Sequence, residues 1–172
     1  MKQIRMAWYV TAFAVLRLVP HPRWRAWVIR LLGAKIGQGV RVHSCKFINH
    51  ELGFSNLAIG SGVYLGPDCL LDLAGPLQIG DRATVSARCV LMTHSDPGAS
   101  HGNALSHRFP PSRLGCRIGA DAWVGVGAVM LQGSDVGARS IVGAASLVLG
   151  PLPADSVCFG QPARSMRSLL PD

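Results

Sequence analysis

Residues Ile118 to Leu147 read IGADAW, VGVGAV, MLQGSD, VGARSI, VGAASL, which is five consecutive units of six. Each unit opens with Ile, Val or Met, and four of the five place Gly second, at Gly119, Gly125, Gly137 and Gly143. The fifth place always holds a small residue: Ala122, Ala128, Ser134, Ser140 and Ser146. An amphipathic helix repeats every 3.6 residues and a half-exposed strand every two, so neither accounts for a period of six. The same frame continues upstream as IGQGVR from Ile36, IGSGVY and LGPDCL from Ile59, and IGDRAT and VSARCV from Ile79. It slips by two at Leu77–Ile79 and is interrupted between Ser95 and Arg117.

A period of six implies one short strand and one turn per unit, with three units closing a triangular coil. The leading aliphatic residue points into the prism, and the fifth position must be small because it faces the same crowded interior. Gly in second place is expected to relieve the turn. Backbone hydrogen bonds then run between coils, so the chain is a stack in which each coil touches its neighbours. The fold class is therefore an all-β solenoid, a parallel β-helix of six-residue repeats. Residues 34–172 form it, with a loop over 95–117 and a C-terminal tail over 157–172. Composition agrees: apolar residues make up 49% of the chain but aromatics only 6%, which suits narrow stacked layers rather than a conventional core.

The first 33 residues differ. Ile4, Trp8, Val15 and Leu18 keep a helical spacing that Pro20 and Pro22 end. A second helix starts near Pro22, with Trp24, Trp27, Val28, Leu31 and Leu32 as its apolar stripe and Gly33 as its stop. Such a helical extension serves as a cap on the open end of the stack. Its tryptophans and basic flanks also suit peripheral contact with a membrane surface. The formal charge is +8, and nine of the 17 Lys and Arg lie before Glu51, the first acid in the chain. That asymmetry suits an anionic partner or a solvated basic face. No nucleic-acid motif or aromatic platform accompanies it, so no nucleic acid is expected. Met6–Val19 is too short to span a bilayer and lacks a signal-peptidase site, so the chain reads as cytoplasmic, with residues 1–33 available for the inner membrane face. Cys45, Cys69, Cys89, Cys116 and Cys158 form no CxxC pair and no zinc-like spacing, and read as small core residues.

Three further stretches give the repeat a family look: THSDPG at Thr93–Gly98, RIGADAWVGVGAV at Arg117–Val129, and VGAASLVLGPLPADSVCFGQPARSMR at Val142–Arg167. With them the chain resembles the left-handed β-helix acyltransferases, and within these the maltose, galactoside and polysaccharide-sugar O-acetyltransferases. LLGAKIG at Leu31–Gly37 resembles the opening of surface-polysaccharide acetyltransferases of the colanic-acid type. The resemblance implies acetyl-CoA as co-substrate, a sugar hydroxyl as acceptor, a homotrimer with active sites between subunits, and no metal. It implies His94 as the catalytic base, at the point where the coil gives way to the loop. An imidazole titrating near neutrality can take a hydroxyl proton and return it to the leaving thiolate.

Asp72, Asp96 and Trp123 correspond to acceptor-binding positions. A turn role beside Pro97 competes for Asp96, and packing on a solenoid face competes for Trp123. His101 and His107 share the loop with His94. Gly125, Val126 and Ala144 match small residues along which the pantetheine arm lies, while Arg164 and Arg167 match basic positions near the nucleotide phosphates. The family's Thr-Lys-Asp-like segment before the closing prolines is replaced here by Leu149-Gly150-Pro151, which removes one basic contact to the donor. The acceptor alternatives are an amino-sugar or a small metabolite. From other classes come a metal enzyme like the γ-class carbonic anhydrases, which needs three converging histidines, and a solenoid scaffold without chemistry.

Overall fold

A computed structural model describes Tyr9, Thr11, Ala12, Ala14, Leu16 and residues 18–50 and 53–170. Of the expected first helix, Ile4, Trp8 and Val15 lie outside the described residues, while Tyr9, Thr11, Ala12, Ala14 and Leu16 are helical and Leu18 is in a turn. Helix α1 (Pro22–Leu31) follows, with Pro at its start, and its end turns at Gly33, whose φ is +108°.

From Lys35 the chain winds through six coils that build three parallel sheets. The first sheet stacks β1 (Lys35–Ile36), β4 (Leu57–Ile59), β7 (Leu77–Ile79), β10 (Cys116–Ile118), β13 (Ser134–Val136) and β16 (Pro151–Leu152). The second stacks β2 (Arg41–Val42), β5 (Tyr64–Leu65), β8 (Thr84–Val85), β11 (Trp123–Val124), β14 (Ile141–Val142) and β17 (Ser156–Gly160), closed by the antiparallel β18 (Ala163–Ser168). The third holds β3 (Lys46–Ile48), β6 (Leu70–Asp72), β9 (Val90–Leu91), β12 (Val129–Met130) and β15 (Leu147–Val148). The tail expected over 157–172 is thus largely the β17–β18 hairpin.

Every leading position of the frame is buried, from Ile36 and Val42 through Ile118, Val124 and Met130 to Val148 and Leu152. The small fifth positions also face inward, and they carry polar atoms that the backbone satisfies. Ser134 donates to the Val148 carbonyl at 2.9 Å and Ser140 to the Pro153 carbonyl at 2.7 Å. Cys69 and Cys89 occupy equivalent places and donate to the Ser86 and Gly125 carbonyls at 3.0 and 3.2 Å. All five cysteines are free, and four are fully buried.

The second-position glycines have a different reason from the one expected. A Cβ on Gly119 would lie 2.5 Å from the Ala138 backbone nitrogen, so the next coil's backbone passes where a side chain would stand. The left-handed turn falls two residues later, at the fourth place, which Arg82, Asp121, Arg139 and Asp155 occupy with φ between 52° and 58°. These four stack at one corner as alternating charges: Arg82 Nε meets Asp121 at 2.7 Å and Arg139 Nε meets Asp155 at 2.5 Å.

Helix α1 lies across β1 and β2 and closes the stack at its N-terminal end. It buries Ala26 and Ile29, with Leu32 just beyond it, not the tryptophan stripe; Trp24, Trp27 and Leu31 are each about 60% exposed. Ala26 and Ile29 are compact enough to let the helix approach the first coil closely.

Candidate active site

The chain leaves the third coil after β9, and Thr93 pins that departure. Thr93 has no exposed surface. Its hydroxyl accepts from the Gly75 N–H at 2.9 Å, and its carbonyl accepts from the Gly115 N–H at 3.0 Å, which ties both ends of the excursion to the preceding corner. Ser95 and Ser112 exchange backbone hydrogen bonds of 3.0 and 2.9 Å, and the Ser112 hydroxyl donates to Gln132 at 2.9 Å. His94 therefore sits between two fastened residues on a zipped stem, not on the free arc of the loop. The arc beyond holds a 3₁₀ turn (Ala99–His101) and the short helix α2 (Leu105–Arg108), with His101 and His107 both exposed.

His94 Nδ1 lies 2.5 Å from Asp72 Oδ2, and the imidazole is about 25% exposed while the carboxylate is wholly buried. A carboxylate can only accept, so Nδ1 carries the hydrogen, and in the neutral ring Nε2 is the nitrogen that keeps a lone pair. Nε2 has no hydrogen-bond partner among the described residues. Asp72 Oδ2 also accepts from the Thr93 N–H at 2.9 Å and the Thr93 hydroxyl at 2.7 Å. Asp72 Oδ1 accepts from Asn49 Nδ2 at 2.6 Å and the Ala74 N–H at 3.1 Å. Burial acts most strongly on this carboxyl and pushes its pKa up. The donors from His94, Asn49, Ala74 and Thr93 outweigh it and hold the pKa at about 2, so Asp72 is an anion at neutral pH.

Asp72 was expected among the acceptor contacts. The structure instead gives it no exposed surface and engages both of its oxygens within the fold. Asn49 and Thr93 were not singled out. Thr93 could have been read from the THS run. Asn49 follows Ile48, which pairs with Asp72 across β3 and β6, so only the strand register reveals it. Asp96 Oδ1 accepts from the Gly98 and Ala99 N–H groups at 2.8 Å each, the turn role that competed with acceptor contact. Those same backbone donors hold its pKa below the ordinary value.

The positions expected to meet the donor stand at another edge. Trp123 is 51% exposed on the outer face of β11 and donates from Nε1 to Ser86 Oγ at 3.0 Å. Gly125, Val126 and Ala144 line the corner between the second and third sheets, where Cβ of an alanine at Gly125 would meet the Ala144 nitrogen at 2.6 Å. His94 stands at the corner between the third and first sheets. The face of the third sheet, held in this coil by β12 (Val129–Met130), lies between the two corners. One subunit thus carries the histidine and the small-residue edge on different corners of its prism. Arg164 and Arg167 lie exposed on β18, opposite Phe159 and Val157. The Leu149–Gly150 corner is a two-residue link with Leu149 exposed.

Among the described residues no group of three or more His, Cys, Asp or Glu side chains is placed to hold a metal ion. His43 packs against Tyr64 with ring centroids 5.0 Å apart and tilted planes, and His50 Nδ1 lies 3.1 Å from the Phe47 carbonyl. No helix among the described residues is long and apolar enough to cross a membrane.

No family model matches the chain. Over 145 residues it is 33% identical to WcaF of Escherichia coli (strain K12), named as a colanic acid biosynthesis acetyltransferase, covering 84% of this chain and 75% of that one. It is 23% identical over 151 residues to the galactoside O-acetyltransferase of Lactococcus lactis subsp. lactis, covering 88% and 70%. Among solved structures, the hexapeptide-repeat acetyltransferase VCA0836 of Vibrio cholerae matches with a TM-score of 0.79 at 22% identity, over 99% of this chain and 93% of that chain. A second structure of that protein, with acetyl-CoA bound, matches at 0.72 with 21% identity over 98% and 89%. At such identities the likeness is one of fold.

Proposed function

Because the chain belongs to the hexapeptide-repeat acetyltransferases, we propose that it moves the acetyl group of acetyl-CoA onto a sugar hydroxyl in surface-polysaccharide synthesis, with His94 as general base. The observation that carries this reading is the His94–Asp72 pair, in which a buried, fully hydrogen-bonded carboxylate holds Nδ1 and leaves Nε2 as the acceptor for a proton.

The chemistry is direct transfer. Nε2 takes the proton of the acceptor hydroxyl as its oxygen attacks the thioester carbonyl carbon. The tetrahedral intermediate collapses, the C–S bond breaks, and the imidazolium returns the proton to the departing thiolate. Asp72 does not touch the acceptor here. It is a positioning residue that fixes the tautomer and favours the transient imidazolium.

The donor and the histidine meet between subunits. His94 and the Gly125–Val126–Ala144 edge lie on different corners of one prism, and a homotrimer with cyclic symmetry brings the histidine corner of each subunit to the edge of the next. Trp123 then walls the cleft, and Arg164 and Arg167 reach the nucleotide phosphates. Asp96 stays with the loop turn beside that cleft. The protein works in the cytoplasm, and the Trp24, Trp27 and Leu31 face of α1, with its basic neighbours, meets the inner membrane surface from the side.

The test is thiol release from acetyl-CoA with a panel of sugars, glycosyl diphosphates and amino-sugars. Release with a hydroxyl acceptor, abolished by His94→Ala, supports the reading. Release with none of them, or undiminished turnover by His94→Ala, refutes it.

A further inference from the structure

A cavity of about 470 Å³ opens between helix α1 and the first two coils. Its floor is apolar, from Ile29 and Phe47, while Arg25 and Lys46 bring cationic side chains to it, His43 lines it, and Asp68 is its one acid among the described residues. Arg25 is half-buried, and its Nε donates to the Val19 carbonyl at 2.6 Å, which fixes the guanidinium at the wall. Lys46 projects from the outward side of β3 and has no acidic partner among the described residues.

The cavity's place in the stack gives it a meaning. Asp68 N donates to Ser44 O at 2.9 Å, Arg88 N to Pro67 O at 2.9 Å, Gly127 N to Ala87 O at 3.0 Å, and Ala145 N to Val126 O at 2.9 Å. These bonds form one column, so the cavity is the N-terminal end of the same corner that carries Gly125, Val126 and Ala144 higher up. His94 leaves the third coil, about two coils above the cavity floor, or roughly 10 Å at the spacing of paired strands. A cyclic three-fold axis along the stack keeps heights equal between subunits. A sugar whose hydroxyl meets a neighbour's His94 would therefore extend its far end into this basic cavity.

We infer that the cavity binds the diphosphate of a glycosyl diphosphate, so that the acceptor is a phosphate-activated sugar rather than a free one. The inference rests on the acetyltransferase reading given above. Lys46 and the terminal nitrogens of Arg25 supply charge-assisted donors to the phosphate oxygens, and the apolar floor takes the part of the ligand beyond them. The volume falls in the range of small-molecule sites. The diphosphate comes from a nucleotide-linked or a lipid-linked sugar, and both present the same group to these cations.

The experiment is titration calorimetry on full-length His94→Ala protein at fixed ionic strength, which separates binding from turnover. The probes are UDP-glucose, a short polyprenyl diphosphate glucose, methyl glucoside and inorganic diphosphate. Expected is binding of one or both glycosyl diphosphates, displacement by inorganic diphosphate, and methyl glucoside at least about tenfold weaker. Whichever glycosyl diphosphate binds tighter identifies the source. Lys46→Ala and Arg25→Met, each on the same background, should weaken that binding about tenfold, and Lys46→Arg should retain it. Acetyl-CoA binding should be unchanged in all three. Equal affinity for methyl glucoside and both glycosyl diphosphates, or full binding by Lys46→Ala and Arg25→Met, overturns the inference. Acetyl transfer to a free sugar by the wild-type protein would persist in that case, so the acetyltransferase reading would stand apart from it.

Discussion

His94 and Asp72 come from consecutive coils, and the 2.5 Å hydrogen bond between them joins the loop stem to the end of β6. The bond is made by a carboxylate that no solvent reaches, so it does not compete with water and does not relax when the loop arc moves. Asp72→Asn keeps the shape but lets an amide offer N–H toward donors that need an acceptor. The ring would lose its fixed tautomer, and kcat is expected to fall about 10²- to 10⁴-fold. KM for acetyl-CoA should hardly move, because the donor edge stands on another corner. A purely structural role for Asp72 would instead lower the active fraction and leave kcat per folded site intact, which active-site titration would detect.

The same carboxyl links stability to acid. Its pKa is held at about 2, below the ordinary 3.8, so the folded state favours the anion. That stabilisation is complete above the unfolded pKa and is lost as pH falls through the folded one. The full shift corresponds to about 2 kcal/mol. Urea unfolding of wild type and Asp72→Asn should therefore show a gap that is constant above pH 5 and narrows by about this amount between pH 4 and pH 2. A gap independent of pH would show that the carboxylate's charge is not what the fold uses.

The coils were legible because the period of six needs no tertiary information: Ile118, Val124 and Met130 announce their burial by spacing alone. The Asp72 pocket was not, because the link from β2 to β3 is one residue shorter than that from β5 to β6, which takes Asn49 out of the frame, and it meets Asp72 only through the β3–β6 register. Helix α1 was legible as a helix but not in its facing. Apolar residues surround most of its circumference, so spacing selected the bulky Trp24 and Trp27, whereas Ala26 and Ile29 pack on the first coil. The placement of His94 and Val126 on two different corners was hidden for another reason. His94 and Val126 are close in frame position but separated by the third face of the prism.

The two classes of glycine should respond differently to the same substitution. Gly119→Ala drives a methyl to 2.5 Å from the Ala138 nitrogen, and backbone cannot rotate aside. Separating two coils disrupts a run of hydrogen bonds, with an expected loss above about 2 kcal/mol. Gly127 has φ +68° with nothing within 4 Å of a Cβ, and Arg139 and Ala145 already hold equivalent turns. Gly127→Ala should cost only about 1 kcal/mol. Thermal unfolding of both variants decides; equal losses would mean that close approach is not the reason for the second-position glycines.

Thiol reactivity checks the inward columns. Burial, the largest influence on Cys116, pushes its thiol up to about 12, which removes thiolate at neutral pH. Cys69, Cys89 and Cys158 are equally enclosed, and only Cys45 is half-buried. Ellman's reagent should modify no thiol of the native protein rapidly except Cys45, and all five after unfolding in guanidinium. Fast reaction at Cys116 would mean that the corner closed by Thr93 and Gly115 opens readily.

The separation of His94 from the Gly125–Ala144 edge yields a complementation test. His94→Ala removes the base, and Ala144→Arg blocks the edge with a long cation, so each variant alone should be inactive. If each site takes its histidine from one subunit and its edge from the next, an interface is competent when an Ala144→Arg subunit supplies His94 and a His94→Ala subunit supplies the edge. Random assembly of an equal mixture makes about one interface in four competent under cyclic three-fold symmetry. Co-refolding the two variants should therefore restore about a quarter of wild-type activity. A site contained within one subunit would regain none, whatever the mixing ratio, because no subunit in the mixture carries both parts.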